Sequence, residues 1–166
     1  MTPRDVGRAR FYEAERLVHH MFDRAGSNRT VQLAGTELTL PVEARFASVD
    51  SVRDHVARVL QLPGVRARFD RANRPVIVRE RRGHRSAHYQ YGSGGDPEIA
   101  IPSSSDGRWA LRELVVLHEI AHHLDDPGGP AHGRTFAITL IDLVELVLGP
   151  EAGLVYRVVL SDSDVL

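Results

Sequence analysis

The 166-residue chain contains no cysteine and no lysine, and all 21 of its basic residues are arginine. The absence of cysteine excludes disulfides, thiolate nucleophiles, iron–sulfur clusters and cysteine-ligated zinc. The absence of lysine excludes Schiff-base catalysis and the phosphate-binding lysine of a Walker motif. Any catalytic or metal-binding site must therefore be built from His, Asp, Glu, Ser, Thr, Tyr and Arg.

Long apolar runs and a strong net charge are also absent. No stretch approaches the roughly 18 apolar residues of a membrane helix, and the first residues lack the apolar segment of a secretory signal. We therefore expect a cytoplasmic protein without membrane contact. The formal net charge is −1, which provides no overall basic field for a nucleic-acid partner. The composition, 42% hydrophobic and 26% charged, predicts one globular domain over residues 1–166.

Local patterns in the first part of the chain predict a helix, a hairpin and a second helix. Thr2-Pro3-Arg4-Asp5 is typical of a helix start, and apolar residues then recur at helical spacing up to Ala25-Gly26. Residues 30–46 alternate around Ala34-Gly35-Thr36, which predicts a hairpin. A short helix is expected from Asp50 to Leu62, with Pro63-Gly64 ending it.

Three strands are predicted next, and the short turns between them favour antiparallel pairing. Their expected ranges are Pro75–Arg82, Ala87–Tyr91 and Glu98–Pro102, with turns at Gly83–Ser86 and Gly92–Asp96.

Helices are predicted for the remainder of the chain. Ser103–Asp106 offers N-cap residues for a helix from Gly107 to Leu124. A second helix is expected from Gly133 to Leu148 and a third from Pro150 to Leu160. The order of elements predicts an α+β fold in which a small antiparallel or mixed sheet packs against helices.

Residues 117–124, LHEIAHHL, contain the pattern H-E-x-x-H. His118 and His122 lie four residues apart and therefore on one face of a helix. Two imidazoles so placed can bind one zinc ion at about 2.0–2.1 Å each. The carboxylate of Glu119 can reach a metal-bound water instead of the metal, so Glu119 is the candidate general base. Because the helix is apolar nearly all round, it should be buried, and a metal would compensate its buried polar groups.

A catalytic zinc site usually has three protein ligands and an open position, so a third ligand is required. His132, in the segment PAHGRTF, is the best candidate because it follows a short turn at the start of the next helix. Alternative third ligands are four acidic residues, which can equally serve as hydrogen-bond partners of ligand imidazoles. These acids are Asp125, Asp126, Asp142 and Glu145.

H-E-x-x-H followed by a short loop and H-G-x-x-F is similar to the motifs of small zincin-type metallohydrolases and resembles the SprT-like metalloproteases. The string HEIAHHL…PAHGRTFAITLIDLVELVLGPEAG also resembles a group of small single-domain metallohydrolases from actinobacteria, over about residues 98–155. The resemblance implies a zincin-like fold, zinc bound by His118, His122 and His132, and Glu119 as the base. Without cysteine the chain lacks the zinc ribbon common in SprT-like proteases, so a shared substrate is not implied.

Two further parts of such a site have candidates in the sequence. Glu98–Pro102 is the candidate edge strand for an extended substrate. An oxyanion-stabilising group is also expected. The candidates for it are His84, His88, Tyr89, Tyr91, His123, Tyr156 and Arg157. His123 lies about 100° around the helix from His122 and is therefore not expected to bind the metal.

Three functions compete at this point. The first is a zinc-dependent hydrolase acting on peptide or protein substrates, in which Glu119 activates a zinc-bound water. The second is a metal-dependent endoribonuclease, for which the arginine-rich segment Arg66–Arg85 would supply a basic surface. The third is a non-catalytic zinc-binding regulatory module, which would need a fourth protein ligand such as Asp125 or Asp126. The residue type at Glu119 favours the first.

Overall fold

A computed structural model describes residues 4–83, 86–102 and 109–166. These residues form six α-helices and two small sheets, so the predicted α+β class is confirmed. They divide into two compact units. One consists of the described residues up to Glu43 together with Asp126–Leu166, and the other of Ala44–Asp125. One domain over residues 1–166 stays a prediction.

The helices and strands follow one another in nearly the predicted order. In chain order the helices are α1 (Arg8–Arg24), α2 (Val49–Gln61), α3 (Pro63–Arg68), α4 (Glu113–Leu124), α5 (Arg134–Leu148) and α6 (Pro150–Asp162). The strands are β1 (Thr30–Leu33), β2 (Thr36–Thr39), β3 (Ile77–Arg81), β4 (His88–Tyr91) and β5 (Pro97–Pro102), and a 3-10 turn spans Asp70–Asn73. Within the described ranges, no helix is both long and apolar enough to cross a membrane.

In the first unit, α6 packs against both α1 and α5, and β1 pairs with β2 as the predicted hairpin. Leu33 faces Thr36 across a two-residue turn. The turn residues Ala34 and Gly35 both have positive φ, 48° and 79°. This conformation matches the right-handed twist of the flanking strands and sets the hairpin register.

The start of α1 differs from the prediction. The helix begins at Arg8 after Gly7, so Arg4 and Asp5 precede it, while Thr2 and Pro3 lie outside the described residues. Asp5 does not stabilise the first turn of the helix, because its carboxylate accepts a hydrogen bond from His132. Asp5, which the local pattern placed in the first turn of the helix, makes a tertiary contact instead.

In the second unit, α2 ends before Pro63 as predicted, and Pro63 also begins a further helix. Ser48 caps α2, since its Oγ accepts the Ser51 amide at 3.2 Å. Leu62 then has extended ψ of 130°, as expected for a residue before proline. Pro63 starts α3 at its first position, where its missing N–H costs nothing. The proline therefore separates two helices, and the second of them, α3, was not predicted.

The three-stranded sheet of this unit has the order β3-β5-β4. β4 pairs with β5 in the predicted antiparallel sense, but β3 pairs with β5 in parallel, so the prediction of antiparallel pairing was wrong for β3. β5 lies in the centre of the described sheet, so the prediction that Glu98–Pro102 is an edge strand was also wrong. Ile99, Ala100 and Ile101 are all fully buried, as a central strand covered on both faces requires.

The start of α4 lies later than predicted. Residues 103–108, which include the proposed caps Ser103–Asp106, lie outside the described residues, as do residues 84 and 85 of the predicted Gly83–Ser86 turn. Arg112 forms a β-bridge with Arg45, and Leu111 accepts the Phe46 amide at 2.8 Å. This extended pairing uses backbone groups that a longer helix would need for itself.

The contact between α5 and α6 depends on Gly153. A Cβ placed there would lie 2.9 Å from the Cβ of Glu145, which is too close for two carbon atoms. Although alanine is the better helix former, we expect Gly153→Ala to lower the free energy of unfolding by about 1 kcal/mol, because overpacking outweighs propensity.

The measurement is chemical denaturation of the variant and the parent. Ser161→Ala, at an exposed position of the same helix, is the control and should change stability by less than about 0.5 kcal/mol. A stabilised Gly153→Ala variant would contradict the close packing of α5 and α6.

Candidate metal centre

Helix α4 carries three residues of the motif on buried or half-buried positions. His118 is 2% exposed, Glu119 is 3% exposed, and His122 is half-buried one turn after His118. The two imidazole rings are 4.8 Å apart between centroids, and their Nε2 atoms approach to 3.1 Å. The helical spacing of four residues therefore turns two ring nitrogens toward one point, as the sequence predicted.

His132 precedes α5 and is 7% exposed. Its Nδ1 donates a hydrogen bond of 2.6 Å to Oδ2 of Asp5. In a neutral imidazole the other nitrogen, Nε2, then keeps its lone pair and is the ligand atom. The rings of Phe11 and Tyr12 lie 5.3 and 5.0 Å from the His132 ring and restrict its orientation. At Gly133 a Cβ would meet the Pro130 carbonyl oxygen at 3.2 Å, so glycine suits this tight turn.

The ligand atoms of His118, His122 and His132 all lie within 4.8 Å of one another, so this group can bind a metal ion. Two nitrogens bound to one tetrahedral zinc at about 2.0–2.1 Å would be about 3.3 Å apart. The observed 3.1 Å between His118 Nε2 and His122 Nε2 is close to that separation. A set of three imidazoles also suits zinc better than magnesium or calcium, which prefer oxygen ligands. The residues present therefore fit the ion.

None of the acidic alternatives joins the three-histidine group within the described residues. Asp126 is exposed and accepts the Gly128 amide at 3.1 Å. Oε2 of Glu145 lies 3.8 Å from Nη2 of Arg157, and the Glu145 side chain packs against Gly153. For a metal bound by three protein ligands, the geometry favours His132 over Asp125, Asp126, Asp142 and Glu145.

His123 is not one of the three grouped histidines, and both of its ring nitrogens bond to other parts of the protein. It is fully buried, and its Nε2 donates to the carbonyl oxygen of Arg74 at 2.9 Å. Its Nδ1 is then the acceptor for the Tyr89 hydroxyl at 3.3 Å. Burial lowers the pKa of this imidazole and favours the neutral form that both hydrogen bonds require.

Tyr89, on β4, contacts both adjacent histidines of α4. Its ring lies parallel to that of His122, with centroids 6.4 Å apart and an interplanar angle of 14°. Burial, together with a hydrogen bond to Tyr91, raises the pKa of Tyr89 to about 12, so its hydroxyl stays protonated. A hydrogen bond from Arg71 lowers the pKa of Tyr91. Tyr89 is thus the oxyanion candidate that contacts a histidine of the three-histidine group.

The other oxyanion candidates lie elsewhere or have other partners. The two ring nitrogens of His88 are bonded to Arg81 and Gln90. Tyr156 is fully buried in α6, and Arg157 faces Glu145. His84 lies outside the described residues.

Two residues that make hydrogen bonds in this region, Asp5 and Arg71, were not predicted from the sequence. Asp5 bonds His132 across 127 positions, and no local pattern signals a contact of that kind. Arg71 donates from Nε to the carbonyl oxygen of His123 at 2.8 Å and from Nη2 to the Tyr91 hydroxyl at 3.3 Å. The basic segment Arg66–Arg85 contains Arg71, but composition alone does not distinguish it from its neighbours.

Comparison of the chain with protein-family models, with curated proteins and with solved structures found no match. The candidate centre therefore depends on the donor atoms and contacts described above. The zincin-like fold and the resemblance to metallohydrolases stay predictions.

We expect His132→Ala to lose most bound zinc, because one of three nitrogen donors is removed. The measurement is the metal content of purified protein after dialysis, with the parent binding close to one zinc per chain. His20→Ala, at an exposed position of α1, is the control and should keep its zinc. Full zinc retention in His132→Ala would contradict the assignment of His132 as third ligand and would indicate that an acidic residue binds the zinc instead.

Asp5→Ala should weaken zinc binding about 10- to 100-fold, since the carboxylate orients His132 and increases its basicity. Asp5→Asn keeps an acceptor without the charge and should fall between the parent and Asp5→Ala. Competition with a chromophoric chelator measures all three affinities. Equal affinities would show that Asp5 does not act on the metal through His132.

Proposed function

We propose that this protein is a zinc-dependent metallohydrolase with a zincin-like fold and that its substrates are peptides or proteins. The observation that carries the proposal is the three-histidine group of His118, His122 and His132, with Glu119 on the same helix beside the first of them. The motif resemblance supports the same reaction class. Zinc is the proposed ion because its preferred ligands match this donor set.

Each residue of the group has a distinct task in this proposal. The three histidines would hold the ion, and Asp5 would fix the ring of His132. Bound zinc would supply Lewis acidity and make water acidic enough to ionise near neutral pH. Glu119 would take a proton from the attacking water and return it to the leaving nitrogen as the carbon–nitrogen bond breaks.

The edge strand β4 is the proposed support for an extended substrate. It replaces β5 in this role, because β4 pairs with β5 on one side only in the described sheet. An edge strand offers backbone N–H and C=O groups to a peptide, and β4 packs against α4. Tyr89 on this strand, with its protonated hydroxyl and its contact to His122, is the proposed donor to the developing oxyanion, for which its single hydroxyl hydrogen would turn away from His123 Nδ1.

RNA hydrolysis receives less support from the arginine-rich segment. Arg71 is bonded to His123 and Tyr91, Arg79 pairs with Glu98, and Arg81 donates to Ser86. The charge of Arg79 is therefore balanced by a carboxylate, and several N–H donors of Arg71 and Arg81 are occupied by groups of the protein itself. A peptide substrate, which the edge strand can bind, is therefore the stronger proposal.

We expect Glu119→Gln to keep its zinc and to lower the turnover of a peptide substrate by about 10²- to 10⁴-fold, because the amide cannot accept the proton. Zinc content and cleavage of a peptide library by zinc-loaded protein are measured together. Asp126→Asn, the same change at an exposed acid after the motif, is the control and should keep its activity.

An RNA pool tested in parallel separates the alternatives. Peptide cleavage by Glu119→Gln at the parental rate would refute the assigned base. Cleavage of RNA without cleavage of any peptide would favour the nuclease. A fully zinc-loaded protein with neither activity would favour the non-catalytic module.

A further inference from the structure

A cavity of about 300 Å³ lies in the second unit, apart from the three-histidine group. Its walls come from α2, from the segment that includes the 3-10 turn and continues to Val76, and from β3. None of His118, Glu119 and His122 lines it. Its volume is at the lower end of the range for small-molecule sites, about 300–1,000 Å³.

The floor of this cavity is apolar. Val56 and Leu60 of α2, Ala72 of the 3-10 turn and Val78 of β3 line it and are between 2% and 9% exposed. These side chains leave only a small part of their surface open to the cavity. A ligand that removes this surface from water gains hydrophobic free energy if its own contacting part is apolar.

All the charged residues that line the cavity are arginines, namely Arg53, Arg66 and Arg74. Arg53 is committed to the protein, since its Nε and Nη2 donate to the Val78 carbonyl oxygen at 3.2 and 2.9 Å and its Nη1 pairs with Asp50. Its charge is therefore balanced, and it forms a wall of the cavity.

Arg66 and Arg74 keep unbalanced charges. Arg66 donates from Nε and Nη2 to the neutral amide oxygen of Asn73, at 3.2 and 2.8 Å, which orients its guanidinium and leaves Nη1 available. Arg74 has a fixed backbone, because its carbonyl oxygen accepts His123 Nε2 at 2.9 Å. In the part of the chain that the structure describes, neither side chain pairs with a carboxylate.

We propose that this cavity binds a small amphipathic anion: one carboxylate or phosphate head group between Arg66 and Arg74, with a short apolar body on the floor. Guanidinium groups bind both head groups through paired N–H donors. No aromatic side chain lines the cavity, so it lacks the stacking surface that single-stranded nucleic acid uses. This proposal assigns a ligand to Arg66 and Arg74, two arginines of the basic segment Arg66–Arg85 that have no task in the proposed hydrolysis.

Four probes divide this chemistry into its parts. Hexanoate and hexyl phosphate carry both head group and apolar body, hexanol lacks the charge, and inorganic phosphate lacks the body. Titrations into ¹⁵N-labelled full chain, followed by NMR, give affinities and the residues affected. We expect the two amphipathic anions to bind more tightly than hexanol and inorganic phosphate, with shifts centred on Ala57, Asn73 and Val76. The tighter of the two anions identifies the head group.

Variants test the charges and the cavity separately. Arg66→Gln and Arg74→Gln, both at exposed positions, should each weaken binding about three- to fivefold, and added salt should weaken parental binding. Ala57→Phe, at an exposed cavity-lining position of α2, should abolish binding by filling the space while every arginine remains. Arg58→Gln, on α2 but outside the cavity, is the matched control and should bind as the parent does.

The proposal is overturned by any of three results: equal binding of hexanol and hexanoate, equal weakening by Arg58→Gln and Arg66→Gln, or parental affinity in a folded Ala57→Phe. Binding of a single-stranded RNA oligomer through Arg66 and Arg74, without binding of hexanoate, would also overturn it. The measurement needs neither zinc nor turnover, so it stands or falls independently of the proposed hydrolase activity.

Discussion

Burial of α4 is the constraint on which the second unit depends. The helix is buried on nearly every position, yet it carries glutamate and histidine side chains that need polar partners. Glu113 accepts the Ala44 amide at 2.8 Å and lies 3.1 Å from His55 Nε2. His123 bonds the Arg74 carbonyl and the Tyr89 hydroxyl. Glu113 and His123 thus each bond different neighbouring segments, and these contacts hold the helix that carries the motif at both of its ends.

Much of the fold could be predicted from local patterns, because the signals act within a few residues. The Ala34-Gly35 turn, the end of α2 before Pro63-Gly64 and the apolar spacing of α5 are of this kind. The parallel pairing of β3 with β5 could not be predicted from turns, since β4 intervenes in the chain and lies on the far side of β5. The uninterrupted apolar run Ile99–Ile101 was the available signal for a central strand.

The candidate site shows the same division. His118 and His122 were predictable because helical geometry alone brings residues four apart together. His132 required a choice between one histidine and several acids, and within the described residues the geometry groups this histidine, and none of those acids, with His118 and His122. The role of Asp5 could not be predicted, because no residue near it in the sequence indicates a hydrogen bond to a partner 127 positions away. Candidate ligands that lie close together in the sequence can be identified from the sequence alone. The groups that orient a ligand can lie far away in the sequence, as Asp5 does, and are then found only in the tertiary structure.

The hydrogen bond between Asp5 and His132 also has a consequence for folding. Closing a loop of 127 residues has a larger entropic cost than forming one helical turn. His118 and His122 can therefore face one another as soon as α4 forms, while His132 gains its orienting carboxylate only after distant parts of the chain have come together. Two of the three ring nitrogens are thus brought together by local helix geometry, whereas the orientation of the third depends on a contact between distant parts of the chain.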